Sequence, residues 1–324
     1  MISSRRTFLV GLGLGATAVG IARAADSYPS KAVRIVVAYA PGGAVDTVAR
    51  KVAQKLTEQS GQQFVVENKP GATGTMGARE VARSEPDGYT LLAIDNTYAM
   101  LPYVFTKLPF EHADALVPIT ISAFAPIMLT VGKDSPFKDL QALVDYARQN
   151  PEKLTFGTGG NGSAPHFATE AFQQAAGIKL YHVPYKGAGD AVVGVMSGSV
   201  DLVMVSPPSV MGNIRGGQMR SLAISGTQRA TALPDVPTFA EAGLPQYSVL
   251  NWSGLAAPKG TPGEITSKLQ AEVAKALAAP DMREFLESQA ATPGGMPSAA
   301  FAQLMKEETE RWREVASKAD IKKQ

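Results

Sequence analysis

Two stretches of the chain place groups that can hold a small anion where a helix begins. Ala40-Pro41-Gly42-Gly43 follows an apolar, β-branched run (Val33, Ile35, Val36, Val37) and precedes apolar residues at helical spacing, Val45, Val48, Ala49, Val52 and Leu56. A strand, a glycine turn and a helix start in that order leave backbone N–H groups unpaired at the positive end of a helix dipole. Glycines let a ligand approach that backbone, and a carboxylate suits the place as well as a phosphate. The segment also reads as a plain strand–helix turn whose glycines serve geometry alone. The pattern recurs in Gly157-Thr158-Gly159-Gly160-Asn161-Gly162-Ser163, between a strand at Leu154–Phe156 and a helix from Pro165 to Ala176. The glycine-rich run Asn68 to Gly77 supplies a third such start, with Thr73 and Thr75 as hydroxyl donors or helix caps. The candidate ligand-binding residues are therefore Pro41, Gly42, Gly43, Thr73 and Thr75 from the first half, and Gly160, Ser163, His166 and Tyr185 from the second. Backbone N–H groups carry the anion, and Ser163 and Tyr185 read the rest of the ligand. Asp46, an acid in a first helical turn, caps N–H groups or orders the loop rather than touching an anion.

Other chemistries fit less well. Gly157-x-Gly159-x-x-Gly162 matches the dinucleotide fingerprint, but the end of the next strand holds Tyr185 and Lys186 where an acid must bind the ribose. No serine stands in a G-x-S-x-G elbow. Ser163 and His166 are three apart at a helix start, with no evident acid to orient the histidine. The three histidines, His112, His166 and His182, show no metal-ligand spacing, and the chain has no cysteine. We expect no catalytic residue, no metal and no cofactor. Lys69 and Lys186 are the cations nearest the loops, and long lysines at loop ends are usually solvated.

The elements that must position these loops alternate as strand and helix, twice: Val33 to Ile94, then Leu154 to Val205. Two βαβαβ sets imply an α/β, two-lobed architecture, each lobe a mostly parallel sheet flanked by helices, with ligands at the strands' carboxyl ends in a cleft between lobes. The expected boundaries are an export signal over 1–24, a first part of lobe 1 over 25–125, lobe 2 over 126–252, and a return to lobe 1 with C-terminal helices over 253–324. Crossings near Ile121–Pro126 and Asn251–Gly254 suit a hinge that closes the lobes on a ligand. In the signal, Arg5 and Arg6 precede an apolar run and Ala22-Arg23-Ala24. Ser4-Arg5-Arg6-Thr7-Phe8-Leu9 matches the twin-arginine pattern; an ordinary secretory signal is the alternative. Cleavage removes three basic residues of 31 and none of the 29 acids, leaving 28 against 29. A near-neutral mature chain gives no ground for a nucleic-acid partner. Without a lipid-attachment cysteine, we expect a soluble, monomeric, unanchored periplasmic protein.

The chain resembles the substrate-binding proteins of tripartite tricarboxylate transporters, the Bug family. The resemblance rests on Ala40-Pro41-Gly42-Gly43-x-x-Asp46-x-x-Ala49-Arg50, Glu67-Asn68-Lys69-Pro70-Gly71-Ala72-x-Gly74, Pro86-Asp87-Gly88-Tyr89, Gly162-Ser163-x-x-His166, Val183-Pro184-Tyr185-Lys186-Gly187, Gly198-x-Val200-Asp201, Leu233-Pro234-Asp235-Val236-Pro237-Thr238 and Ala257-Pro258-x-Gly260-Thr261-Pro262. It implies a periplasmic binding protein type 2 fold that captures a small carboxylate (a di- or tricarboxylate, or an aromatic acid) and delivers it to membrane permease subunits. The first lobe's glycine loops would hold the carboxylate, partly through waters. Thr73 stands where such proteins often have glycine, Asp190 where proline is common, and Gly194 where aspartate is common. A periplasmic hydrolase or isomerase acting on a carboxylate, and a sensory receptor serving a membrane kinase, are the alternatives.

Overall fold

The computed structural model describes residues 28–112, 114–319, 321 and 323; the export signal read at 1–24 lies outside them. The first sheet begins with β1 (Val33–Val37), α1 (Ala44–Ser60), β2 (Phe64–Asn68), α2 (Thr75–Ala82) and β3 (Thr90–Asp95). β1 lies parallel between β2 and β3, with Val33 opposite Phe64 and Arg34 opposite Thr90. Both of its faces are covered, so Val33, Ile35, Val36 and Val37 are all buried. On α1 the predicted positions Val48, Ala49, Val52 and Leu56 form the buried stripe, and Gly61, at φ 71°, ends the helix.

After α3 (Asn96–Val104) and β4 (Leu116–Pro126) the chain enters a second sheet, separated from β4 by Ile127 alone. That sheet is built from β5 (Met128–Gly132), α4 (Leu140–Gln149), β6 (Thr155–Thr158), α5 (Ala164–Ala176), β7 (Tyr181–Pro184), α6 (Ala188–Met196), β8 (Leu202–Val205), α7 (Met211–Arg215) and β9 (Met219–Ile224). The chain then returns as β10 (Leu250–Pro258), followed by α8 (Gly263–Ala278), α9 (Pro280–Ser288), β11 (Thr292–Pro293) and α10 (Ser298–Lys318). The strand orders are β11-β4-β10-β3-β1-β2 and β7-β6-β8-β5-β9.

Both sheets are mixed rather than mostly parallel. β10 inserts antiparallel between β3 and β4, and β5 antiparallel between β8 and β9. The parallel pairs are joined by helical crossovers; β10 and β5, the strands entered on changing sheets, run antiparallel to both neighbours, and β11 adds an antiparallel edge to β4. β4 and α3 escape the sequence pattern for local reasons. Pro118 and Pro126 punctuate β4, and α3 carries Pro102 within a run apolar on every side.

The two crossings are fastened together. Ile127 N–H donates to Ser225 Oγ at 2.8 Å, Ser225 N–H returns a bond to the Ile127 carbonyl at 2.7 Å, and Ser225 Oγ donates to the Val249 carbonyl at 2.5 Å. Helix α10 spans both lobes: Phe301 packs edge-on to Trp252 of β10, and Trp312 edge-on to Phe167 of α5. Burying a side chain of that size stabilises the fold by about 1.5–3 kcal/mol.

Candidate functional site

The loops at the carboxyl ends of β1, β3, β6 and β8 meet between the sheets and enclose a cavity of ≈ 50 Å³. An adjoining hollow of ≈ 40 Å³ shares Ala44, Val45, Asp95, Ser206 and Asn251 with it. Four helices begin at this cavity: α3, whose first turn is capped by Asp95, and α1, α5 and α6, whose N-cap residues make no side-chain capping bond.

The first loop is set by Asp46. Its carboxylate accepts from Gly42 N–H at 3.0 Å, from Asn68 Nδ2 at 2.9 Å and from Arg50 Nε at 3.1 Å, and Asn68 Nδ2 also reaches the Tyr39 carbonyl at 3.0 Å. Burial opposes the charge, but the bonds from Arg50, Gly42 and Asn68 outweigh it and hold the Asp46 carboxyl below the usual range. Gly42 turns the chain at φ 87°, and Gly43 caps α1 in extended conformation without a side chain in the way. At the end of β3, Asp95 caps α3. It accepts from Tyr39 Oη at 2.8 Å, Thr97 N–H at 3.2 Å and Thr97 Oγ1 at 3.2 Å. Burial pushes its carboxyl up to about 6 against the pull of those bonds.

From the second sheet, Ser163 caps α5, but its Oγ makes no capping bond; it is buried, unpartnered and in the cavity wall. Ser209 Oγ and Asn251 Oδ1 are likewise buried, unpartnered and in that wall. Buried polar atoms without partners are uncommon, and these three share one cavity. Among the described residues, no lysine, arginine or histidine lines it. An anion here is met by N–H dipoles and hydroxyls rather than by a counter-charge.

Of the residues expected from sequence, Gly43 and Ser163 line the cavity and Asp46 orders the loop. Pro41 and Gly42 sit exposed at the rim. Thr73 and Gly160 meet each other across the cleft: a Cβ on Gly160 would lie 3.3 Å from Thr73 Oγ1. None of these four lines the cavity, and nor do the other three expected residues. Thr75 turns its hydroxyl back to the Ala72 carbonyl at 2.9 Å. His166 accepts from Gly162 N–H through Nδ1 at 2.8 Å and stacks on His182 at 4.0 Å between centroids. It therefore orders the loop before α5, and no Ser163–His166 bond forms. Tyr185 lies against α6, where a Cβ on Gly194 would be 2.4 Å from its Oη, so the glycine at 194 makes room for the ring. Sequence reasoning missed Asp95, Ser206, Ser209 and Asn251. Asp95 ends a predicted strand and so could have been found; the others are brought in only by the return of β10 and the turn after β8.

No helix among the described residues is long and apolar enough to cross a membrane, and no cluster of three or more His, Cys, Asp or Glu there could hold a metal ion. Residues 48–321 match the family model described as tripartite tricarboxylate transporter family receptor. The chain is 32% identical to protein BugT of Bordetella pertussis over 324 residues, 99% of each chain. It superposes on an R. palustris protein solved with adipate with a TM-score of 0.87 and 33% identity, covering 90% of this chain and 98% of that one. MatC of Rhodopseudomonas palustris, solved with bound malate, superposes with a TM-score of 0.84 and 32% identity, covering 89% and 100%. The fold is that of a two-lobed periplasmic binding protein, and the chain belongs to the tripartite tricarboxylate transporter receptor family, a family of solute receptors rather than enzymes.

Proposed function

We propose that this chain captures a small carboxylate in the cavity between its sheets and delivers it to the membrane subunits of a tripartite transporter. The observation that carries the reading is the pair of unpartnered hydroxyls, Ser163 Oγ and Ser209 Oγ, facing one cavity where α1, α5 and α6 begin. The ligand's carboxylate accepts from the N–H groups after Gly43 and from the Ser163 and Ser209 hydroxyls. Thr73 and Gly160 hold the lobes around it. The malate and adipate bound by the two R. palustris relatives agree with this size and charge class. Export to the periplasm, by the twin-arginine route, completes the proposal and is supported by Ser4-Arg5-Arg6-Thr7-Phe8-Leu9.

Calorimetry tests the reading. Protein unfolded, dialysed and refolded to remove any carried ligand is titrated with mono-, di- and tricarboxylates and aromatic acids. One class should bind with micromolar affinity or better. Absence of heat across the whole panel, with a cooperatively folded protein, refutes it.

A further inference from the structure

We infer that the ligand carries, besides its carboxylate, a hydrogen-bond donor (an ammonium, hydroxyl or amide N–H), and that Asp95 and Asn251 receive it. The inference rests on the carboxylate reading above and narrows it to acids that are not simple dicarboxylates.

Asp95 and Asn251 both line the main cavity and the adjoining hollow, where the two spaces join. Their proximity follows from the sheet. Asp95 pairs with Ser253 across β3 and β10, and Asn251, two residues along β10, points to the same face. Both present acceptors. Asn251 spends Nδ2 on Ser206 Oγ at 3.0 Å and leaves Oδ1 without a partner. The Asp95 carboxylate takes Tyr39 Oη and two groups of Thr97, three donors for roughly four acceptor positions.

The charge balance points the same way. Asp46, the other acid in the wall, is matched by Arg50, whose Nη2 lies 2.9 Å from Oδ1. Asp95 has no ion pair among the described residues; its partners are all neutral. Burial without a counter-charge is also what holds its carboxyl near 6. A second ligand carboxylate at this spot would meet an uncompensated negative charge at close range. A donor would occupy the free acceptor position of Asp95 and the orphaned Oδ1 of Asn251 together. The donors of the cavity, Ser163 Oγ, Ser209 Oγ and the helix N–H groups, remain for the carboxylate.

The test is a matched titration at pH 7.5 of the refolded, ligand-free protein. Each chain length from three to six carbons is represented by the dicarboxylate, the amino acid and the hydroxy acid, with the donor on the terminal or the α carbon. The best donor-bearing acid should bind at least tenfold more tightly than the dicarboxylate of equal length. Asp95→Asn, isosteric and also a good helix cap, should fold and should shrink that ratio several-fold or invert it. A dicarboxylate that binds as well as its donor-bearing counterpart in the native protein overturns the inference and leaves the carboxylate reading standing. So does an unchanged ratio in a folded Asp95→Asn variant. If no acid binds but the corresponding amines or amides do, the carboxylate reading itself fails.

Discussion

Thr73 Oγ1 donates to the Asn161 carbonyl at 2.7 Å, so a loop of the first sheet grips a loop of the second across the cavity. The grip is reinforced where α6 begins. A Cβ on Gly189 would lie 2.4 Å from the Pro41 carbonyl oxygen, and one on Gly187 would lie 2.9 Å from Ala40 N. The lobes are therefore closed, backbone against backbone. Small-angle scattering should give a smaller radius of gyration with saturating ligand than without it, and Gly189→Ala should keep the larger radius in both conditions. Equal radii for the native protein with and without ligand would mean a rigid cleft.

Thr73 holds this bond in a left-handed conformation, φ 54° and ψ 37°, that a β-branched residue adopts at a cost of about 1–2 kcal/mol. Thr73→Gly should relieve that strain and lose the bond across the cleft, so ligand should dissociate faster, by about fivefold for a bond worth about 1 kcal/mol. Thr73→Val keeps the strain, loses the same bond, and should be the less stable of the two. Denaturant unfolding with stopped-flow release separates the two effects.

Gly43 and Ser163 test the wall. A Cβ on Gly43 would make an ordinary contact with the Ala188 Cβ at 3.7 Å, but the branches of valine would have to enter the cavity or part the lobes. Gly43→Val should abolish binding while unfolding remains cooperative. Ser163→Ala removes a buried hydroxyl that has no partner in the free protein, so stability should hold or rise. Affinity should fall by about 0.5–1.5 kcal/mol, the usual worth of one hydrogen bond. Tyr185→Phe, whose hydroxyl lies against Gly194 of α6 and outside the cavity lining, should leave affinity unchanged.

Asp95 makes stability depend on pH in one direction. Its carboxyl is raised from 3.8 to about 6 in the folded chain. Between those values the folded chain binds the proton more than the unfolded one, so stability falls as pH rises through that window. The groups facing it are Tyr39 from the loop after β1, itself held neutral by burial, Thr97 of α3, and Asp46, already paired with Arg50. Asp95→Asn should flatten the fall, which is on the order of 2–3 kcal/mol for a shift of this size. An ammonium-bearing ligand should bind more tightly above pH 6, and a dicarboxylate more tightly below it.

His182 acts in the opposite sense. Burial, with help from the neighbouring His166, pushes its imidazole from 6.5 down to about 3. Below pH 6.5 the unfolded chain takes up the proton first, so the stability from this group is present above that pH and is lost on acidification towards 3. His182→Gln should unfold with a shallower acid limb, read by thermal unfolding between pH 7 and 4. An unchanged limb would place the acid sensitivity elsewhere.

What could be read from sequence was local. The run Val33–Val37, the stripe on α1 and the glycines before α1 and α5 announce themselves within a dozen residues, and they include Gly43 and Ser163. The rest depends on distant pairing. Asn251 joins the cavity only because β10 returns between β3 and β4, and nothing near it in the chain signals that return. His166 was expected at the ligand, and its position at a helix start also suits capping; the 2.8 Å bond its Nδ1 accepts from Gly162 N–H is made by folding and could not be read from spacing. Tyr185 was expected at the ligand; that its ring lies against α6, admitted by the absence of a side chain at Gly194, is a tertiary matter.

The fastening of Ile127, Ser225 and Val249 bears on how the molecule moves. Two independent tethers would let the lobes swivel, twist and slide. Here both tethers run through one serine, and each continues into a strand of the paired ribbon β4–β10. A hydrogen-bonded ribbon bends across its flat face far more easily than within its plane. If the lobes open, this junction favours bending across the ribbon's flat face, and α10, packed on both lobes, has to shift or flex with that bend.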